Sequence, residues 1–147
     1  MTIMKNYLRF LFAVLLAASA IGKLADMAGF VQIVASYRLL PLALVPAAAW
    51  LLALVELTLA VWLVSAKCIQ HAAATLVALH GIYFCWLLIA LTRGLSISNC
   101  GCFGVYFARP LSAYTLLEDA LLLVLAALLW RSARDDSCRT APSTQSG

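Results

Sequence analysis

Charged residues are scarce in this chain. Of its 147 residues, only 11% are Asp, Glu, Lys or Arg, whereas 65% are hydrophobic. A soluble domain of this size needs far more charge to cover its surface, so the composition excludes a soluble globular protein. The few charges leave apolar runs of about 20 residues, the length that crosses the hydrocarbon core of a bilayer. We therefore predict one compact bundle in the lipid bilayer, without a second domain.

A cluster of basic residues is also missing, although the formal net charge is +4. The ten Lys and Arg residues are scattered singly, at the ends of apolar runs. Long basic side chains at such positions reach the lipid headgroups and set the orientation of the helices. The pattern indicates membrane flanks and not a nucleic-acid partner.

Four apolar runs predict an all-α, integral membrane four-helix bundle in a single domain over residues 1–130. The predicted spans are about residues 7–22, 41–64, 68–91 and 112–130. Ser112 or Thr115 can start the last helix, since Thr115 and Glu118 have the spacing of a capping box. The polar residues 131–147 cannot bury a core and predict a disordered cytoplasmic tail.

The first run has two interpretations. Ala18-Ser19-Ala20 fits the small-x-small pattern of a signal-peptide cleavage site, behind a basic start and a short apolar region. Against cleavage, the apolar character resumes immediately after Lys23 and Asp26, and the bundle needs this helix as its fourth member. We predict that it is the first span.

A short amphipathic helix is predicted at the membrane interface after the first span. Met27, Phe30, Val31 and Val34 recur at i, i+3, i+4 and i+7, which is the helical period. Tyr37 follows, and we expect it at headgroup depth, where amphipathic rings accumulate.

The distribution of basic residues predicts the orientation. With a cytoplasmic N-terminus, six Lys and Arg residues lie on the cytoplasmic side and four on the other. Because the side richer in Lys and Arg faces the cytoplasm, both termini are predicted to be cytoplasmic. In a bacterial inner membrane, the loop before the last span then lies in the oxidising periplasm.

That loop contains the close cysteine pair of the chain, Cys100 and Cys102. Two extended residues span about 6.6 to 7.2 Å, at or beyond the upper edge of disulfide Cα separations, so bridging them requires a bend. Gly101 supplies that bend. A disulfide closed over one residue is strained and easier to reduce, which favours a redox role.

Two other interpretations of the pair stay open at this point. The cysteines can line a structural turn in their reduced form, or bind a soft metal such as copper(I). A closed zinc site is disfavoured, because the loop holds no second cysteine pair and no histidine to complete four ligands.

Several further residues are candidates for supporting roles. Cys85 lies in the third span about 9 Å from its outer end, as a resolving thiol or as a packing residue. Glu56 and His80 are ionisable residues inside spans, where such groups pair or face a cavity. We expect them to hydrogen-bond across the bundle, either as a polar clasp or as part of a proton or substrate pathway.

Charged residues at the outer ends of the helices surround the predicted position of the cysteine loop. Lys23 and Asp26 end the first span and Arg93 ends the third. A neighbouring Lys23 or Arg93 favours the reactive thiolate by lowering a cysteine pKa. Glu118 and Asp119 suit a helix N-terminus and need no catalytic role.

Several short segments resemble the methylamine-utilisation protein MauE family and its DoxX-like relatives. They are Gly22-Lys23-Leu24-Ala25-Asp26, Tyr37-Arg38-Leu39-Leu40-Pro41, Glu56-Leu57, Arg93-Gly94 and, most specifically, Cys100-Gly101-Cys102-Phe103-Gly104. The resemblance covers nearly the whole membrane part. It implies a four-helix bacterial inner-membrane protein for processing, transport or maturation of the methylamine dehydrogenase small subunit, which carries several disulfides. It also implies a thioredoxin-like partner and puts Cys100 and Cys102 forward as the functional pair.

Three functions follow as hypotheses. The first is thiol-disulfide exchange at Cys100 and Cys102 with a periplasmic thioredoxin-like protein or a client subunit. The second is a non-catalytic assembly factor with a structural Cys-Gly-Cys turn, and the third is a small transporter that uses Glu56 and His80. No second cysteine pair is present to pass electrons onward to a quinone. A quinone that reacts directly with the pair stays open as a cofactor.

Overall fold

The computed structural model describes residues 2–65 and 68–139, and these form helices and loops without strands. The helices are α1 (Thr2–Ala25), α2 (Met27–Ser36), α3 (Val45–Ser65), α4 (Ile69–Thr92) and α5 (Ala113–Arg139), with a 3-10 turn at Leu42–Leu44 before α3. Four segments are long and apolar enough to cross a membrane, namely Ile3–Ala25, Leu42–Ser65, Ile69–Thr92 and Ala113–Arg134. The predicted all-α bundle of four spans is confirmed.

Two helices are longer than predicted. The first begins at Thr2 and the last continues to Arg139. No glycine or proline occurs between Arg131 and Arg139, so no residue there breaks the last helix. The prediction of disorder from Arg131 onward therefore does not hold for residues 131–139, and residues 140–147 lie outside the described part. Helix α5 begins directly after Ser112, whose N–H donates to Thr115 Oγ1 at 3.0 Å, one turn inside the helix.

The four spans pack as two helix pairs. Helix α1 lies along α3, and α4 lies along α5, whereas the contacts between the two pairs are less extensive. Alanines that are fully buried in the core allow the backbones to approach closely, as in other membrane bundles: Ala53, Ala72, Ala73 and Ala126. Large apolar side chains such as Val14, Val61 and Leu121 are exposed, as expected for lipid-facing positions.

The predicted short helix after the first span is confirmed as α2. Asp26 caps its N-terminus by accepting a hydrogen bond from the Gly29 N–H at 2.9 Å. Phe30 and Val34 of this helix are buried in the same apolar cluster as Val45 of α3. Helix α2 therefore covers one end of the bundle.

Tyr37 follows α2, and its location at headgroup depth stays a prediction. Its side chain is buried, and its hydroxyl donates to the Cys100 carbonyl at 2.8 Å. Burial raises the pKa of Tyr37 well above its usual range, so the hydroxyl keeps its proton and remains a donor. Because it holds the loop backbone, Tyr37 positions the cysteine pair.

Candidate functional site

The loop between α4 and α5 folds back into the bundle instead of staying at its end. The Cys102 carbonyl lies 2.6 Å from the Ser19 hydroxyl of α1. Ser19 is six residues before Ala25, the last residue of α1, or about 9 Å along the helix axis. Irregular backbone at this depth is tolerated where protein buries it and satisfies its polar groups.

Asn99 satisfies several polar groups of the loop backbone. Its Oδ1 accepts from the Gly101 N–H at 2.9 Å, and its Nδ2 donates to the Gly104 carbonyl at 3.2 Å. The Cys100 N–H donates to the Arg109 carbonyl at 2.7 Å, which closes the base of the loop. The loop is therefore held in one conformation by its own side chains and backbone.

Two glycines allow the loop to turn and to approach α1. Gly101 and Gly104 have φ angles of +76° and +74°, in the left-handed region that favours glycine. A Cβ on Gly104 would meet the Gly22 backbone, and a Cβ on Gly22 would meet the Phe103 carbonyl. Backbone contact between the loop and α1 thus requires glycine on both sides. The bend that the sequence assigns to Gly101 is present.

The two loop cysteines are free thiols whose sulfur atoms lie 3.0 Å apart. This separation is a thiol hydrogen bond and is about 1 Å longer than a disulfide bond. Cys100 is buried, whereas Cys102 keeps exposed surface. The pair therefore has one shielded sulfur and one accessible sulfur.

Cys100 is the more acidic thiol of this pair. The hydrogen bond from the Cys102 thiol is the main cause that lowers the pKa of Cys100 to about 6, against the opposing effect of burial. The Arg109 guanidinium lowers it further. The same hydrogen bond and the surrounding protein raise the pKa of Cys102 well above its usual range, although Lys23 opposes them. Cys102 therefore stays protonated and donates.

A buried charged cluster lies beneath the loop. Lys23 Nζ and Glu56 Oε1 are 2.5 Å apart, with side chains 2% and 1% exposed. The Tyr83 hydroxyl donates to Glu56 Oε1 at 2.6 Å, and the Ser19 hydroxyl lies 2.9 Å from Glu56 Oε2. Glu56 thus has three donors from two other helices, which is what a buried carboxylate requires.

Ser19 connects this cluster to the cysteine loop. Its hydroxyl lies within hydrogen-bond distance of both Glu56 Oε2 and the Cys102 carbonyl. Its single proton can serve one of these acceptors at a time. The charge on Glu56 and the backbone of the reactive loop are thereby linked through one side chain.

A second polar pair joins α4 to α5. His80 Nδ1 and Asp119 Oδ1 are 3.2 Å apart and both residues are buried. His80 Nε2 and Asp119 Oδ2 have no hydrogen-bond partner within the described residues. The predicted hydrogen bond between Glu56 and His80 is therefore wrong, since each has a different partner.

A cavity of about 150 Å³ lies between the two helix pairs and adjoins both polar clusters. Its lining includes Cys100, Cys102, Lys23, Glu56, His80 and Asp119. Aromatic and aliphatic side chains form most of the remaining wall. Arg109 and Glu118, an exposed bidentate ion pair with N–O distances of 2.7 and 2.8 Å, also line it.

Three of the predicted supporting residues lie outside this cavity. Cys85 is exposed on α4, so the structure does not place it as a resolving thiol. Asp26 caps α2. Arg93 Nη1 donates to the Arg38 carbonyl at 3.3 Å. Of Lys23 and Arg93, the two cations expected beside the cysteines, Lys23 lines the cavity and Arg93 does not. The predicted supporting residues Glu56 and His80 also line it.

The sequence did not reveal Ser19, Tyr83, Asn99 or Arg109 as parts of the site. Ser19 was considered only within a cleavage pattern, and Tyr83 is one of several aromatic residues in an apolar helix. The spacing of Tyr83 three residues after His80 was the available signal, because these positions share one helix face.

Comparison with known proteins identifies the family. A family model described as methylamine utilisation protein MauE matches residues 1–132. The methylamine utilization protein MauE of Paracoccus denitrificans is 33% identical over 119 residues, which is 81% of this chain. The alignment covers 64% of that relative, so the chain spans less than two thirds of its length. No solved structure matches the chain. The match extends over α1 to α4, the cysteine loop and most of α5, and the chain belongs to the MauE family of methylamine-utilisation membrane proteins.

Proposed function

We propose that this protein supports the maturation of a periplasmic redox enzyme through thiol-disulfide exchange at Cys100 and Cys102. The observation that carries the proposal is the asymmetry of the pair, in which a buried thiolate lies 3.0 Å from an accessible thiol. A purely structural turn needs neither the contact between the sulfurs nor the difference in their protonation. Thiol-disulfide exchange uses both.

The direction that fits this asymmetry is oxidation of the partner. A partner thiolate attacks the accessible Cys102 sulfur of the oxidised pair, forms a mixed disulfide and expels Cys100 as a thiolate. A second partner thiolate then attacks the partner sulfur of that mixed disulfide and releases Cys102, which takes up a proton. The partner loses two electrons and gains a disulfide, and the Cys100-Cys102 pair gains the two electrons. A low pKa makes Cys100 a good leaving group.

We infer the partner and the client from the resemblance to the MauE family. The name of the Paracoccus relative refers to methylamine utilization. On this basis the client is the disulfide-rich small subunit of methylamine dehydrogenase or a similar periplasmic subunit, reached directly or through a thioredoxin-like protein. We place the protein in the bacterial inner membrane with both termini cytoplasmic and the cysteine loop periplasmic.

The serine variant Cys100→Ser is expected to trap the partner. In this variant no pair disulfide can form, so the mixed disulfide arises from the product side, when the Cys102 thiol attacks the disulfide of an oxidised partner. Cys100 is no longer present to release the partner by closing the pair disulfide, so a covalent complex accumulates. Cells are quenched in acid, their thiols are alkylated, and the complex is detected as a slower band on a gel without reductant. Mass spectrometry then identifies the partner.

Matched cysteine variants separate this function from its main alternative. Cys100→Ser/Cys102→Ser should give no complex, whereas adding Cys85→Ser to Cys100→Ser should leave it unchanged. The docking of the loop between Gly22 and Gly104 also suits a non-catalytic assembly factor. Such a factor gives no reducible complex in any variant, and that result would contradict thiol exchange.

A further inference from the structure

The cavity beside the cysteine pair has the size of one six-membered ring. Its volume is about 150 Å³, and an apolar protein cavity of about this volume accommodates benzene. Phe12, Phe30, Tyr83 and Trp86 are among its walls. Both sulfur atoms belong to residues that line it, so a ring in the cavity lies next to the thiolate.

Two of the residues that line this cavity each have a buried polar atom without a partner. His80 and Asp119 are 6% and 8% exposed, and His80 Nε2 and Asp119 Oδ2 make no hydrogen bond to the described residues. An unsatisfied buried polar group costs about 1–3 kcal/mol. A protonated His80 Nε2 can donate to a carbonyl oxygen on a ring, whereas Asp119 Oδ2 only accepts and is satisfied by a ring hydroxyl. A quinone supplies the carbonyl and its quinol supplies the hydroxyl.

We propose that this cavity binds the ring of a membrane-dissolved quinone, which accepts the two electrons of the reduced Cys100-Cys102 pair. The inference rests on the proposed exchange function and supplies its oxidant. A quinone combines an apolar ring with two carbonyl oxygens and reaches the site from the bilayer. It also explains how the pair is reoxidised although the chain has no second cysteine pair in the loop.

The electrons and protons balance over this site. The Cys100 thiolate bonds to a ring carbon, and the Cys102 sulfur then attacks the Cys100 sulfur as its proton leaves. The S–S bond forms, the S–C bond breaks, and the electron pair stays on the ring. The ring oxygens take the proton that leaves Cys102 and a second proton that water supplies through His80, the partner of Asp119. The products are a disulfide and a quinol.

Binding is tested separately from chemistry in lipid nanodiscs. The probe is decylubiquinone, added to the full chain carrying Cys100→Ser/Cys102→Ser and with Trp86 as its single tryptophan. We expect saturable quenching of Trp86 fluorescence. His80→Asn should weaken binding about tenfold, the value of one hydrogen bond. Leu122→Phe, which narrows the cavity without adding a tryptophan, should weaken it as well. The exposed His71, changed to Asn, is the matched control and should bind like the parent.

Electron transfer is measured with the reduced wild-type chain after the reductant is removed. One quinol should form per protein as two thiols disappear, and His80→Asn should slow this step at least tenfold. The absence of saturable quenching, or equal behaviour of His80→Asn and His71→Asn, overturns the quinone site. Trapping by Cys100→Ser with no quinone binding refutes the quinone alone. Quinone binding without any trapped partner refutes the exchange function alone.

Discussion

Replacing either member of the Lys23–Glu56 pair is expected to destabilise the protein by about 3–5 kcal/mol, because the remaining charge stays buried without a counterion. The two side chains are 2% and 1% exposed. Lys23→Met leaves the Glu56 carboxylate with two hydroxyl donors but no cation. Glu56→Gln keeps an acceptor for Tyr83 and leaves the ammonium without its anion. Both variants remove a charge and largely keep the shape of the side chain, so a loss of stability reports the loss of the charge.

The double variant Lys23→Met/Glu56→Gln identifies the pairwise contribution. It removes both charges, so its loss of stability should be clearly smaller than the sum of the two single losses. The measurement is reversible unfolding in mixed micelles with increasing SDS, followed by circular dichroism. Single effects that add in the double variant would show that the two groups do not interact.

The exposed ion pair between Arg109 and Glu118 provides the matched control. Its side chains are 48% and 52% exposed, so water already solvates both charges and little is lost when one is removed. Glu118→Gln should therefore unfold close to the wild type. An equal effect at both pairs would mean that burial does not determine the cost.

The spans could be predicted because they depend on composition along the chain. Runs of about 20 apolar residues must cross the bilayer regardless of how the helices pack. The short helix α2 was equally visible, since Phe30 and Val34 repeat at the helical period. The end of α5 was not, because polarity alone does not stop a helix that contains no glycine or proline.

The partners of Glu56 and His80 depend on rotation about the helix axes, which depth along the chain does not specify. Both residues lie near mid-span, and this suggested a contact between them. In the structure Glu56 instead meets Tyr83, one turn from His80 on the same helix. His80 faces Asp119. An error of one turn was enough to assign the wrong partner.

The depth of the cysteine loop in the bundle also could not be predicted from the sequence. A loop of about 20 residues is expected at the membrane surface, and the pattern contains no sign that it folds inward. Its position results from long-range contacts, such as that of Ser19 with the Cys102 carbonyl at 2.6 Å and the glycine contact with α1. The chemistry of the pair was predictable from Cys-Gly-Cys, but its setting was not.

The setting has a measurable consequence for the acidity of Cys100. Its pKa of about 6 implies that about 90% of this thiol is ionised at pH 7 and that ionisation falls as the pH drops through 6. In the Cys102→Ala variant the main donor is lost, and the midpoint should rise toward the usual value of 9.0. The ionised fraction at pH 7 then approaches about 1%.

Thiolate absorbance near 240 nm, recorded against pH on the reduced protein in a Cys68→Ser/Cys85→Ser/Cys138→Ser background, gives this midpoint directly. The change in alkylation rate should be smaller than the change in ionised fraction, because a thiolate of lower pKa is also a weaker nucleophile. Cys102→Ser retains a hydroxyl donor, so its midpoint should lie between those of the wild type and Cys102→Ala. A midpoint that stays near 6 in Cys102→Ala would assign the acidity to Arg109 and the backbone instead. If the midpoint rises as expected, the same hydrogen bond that keeps Cys100 ionised also makes it the leaving group when a partner attacks Cys102, which ties the loop geometry to the direction of exchange.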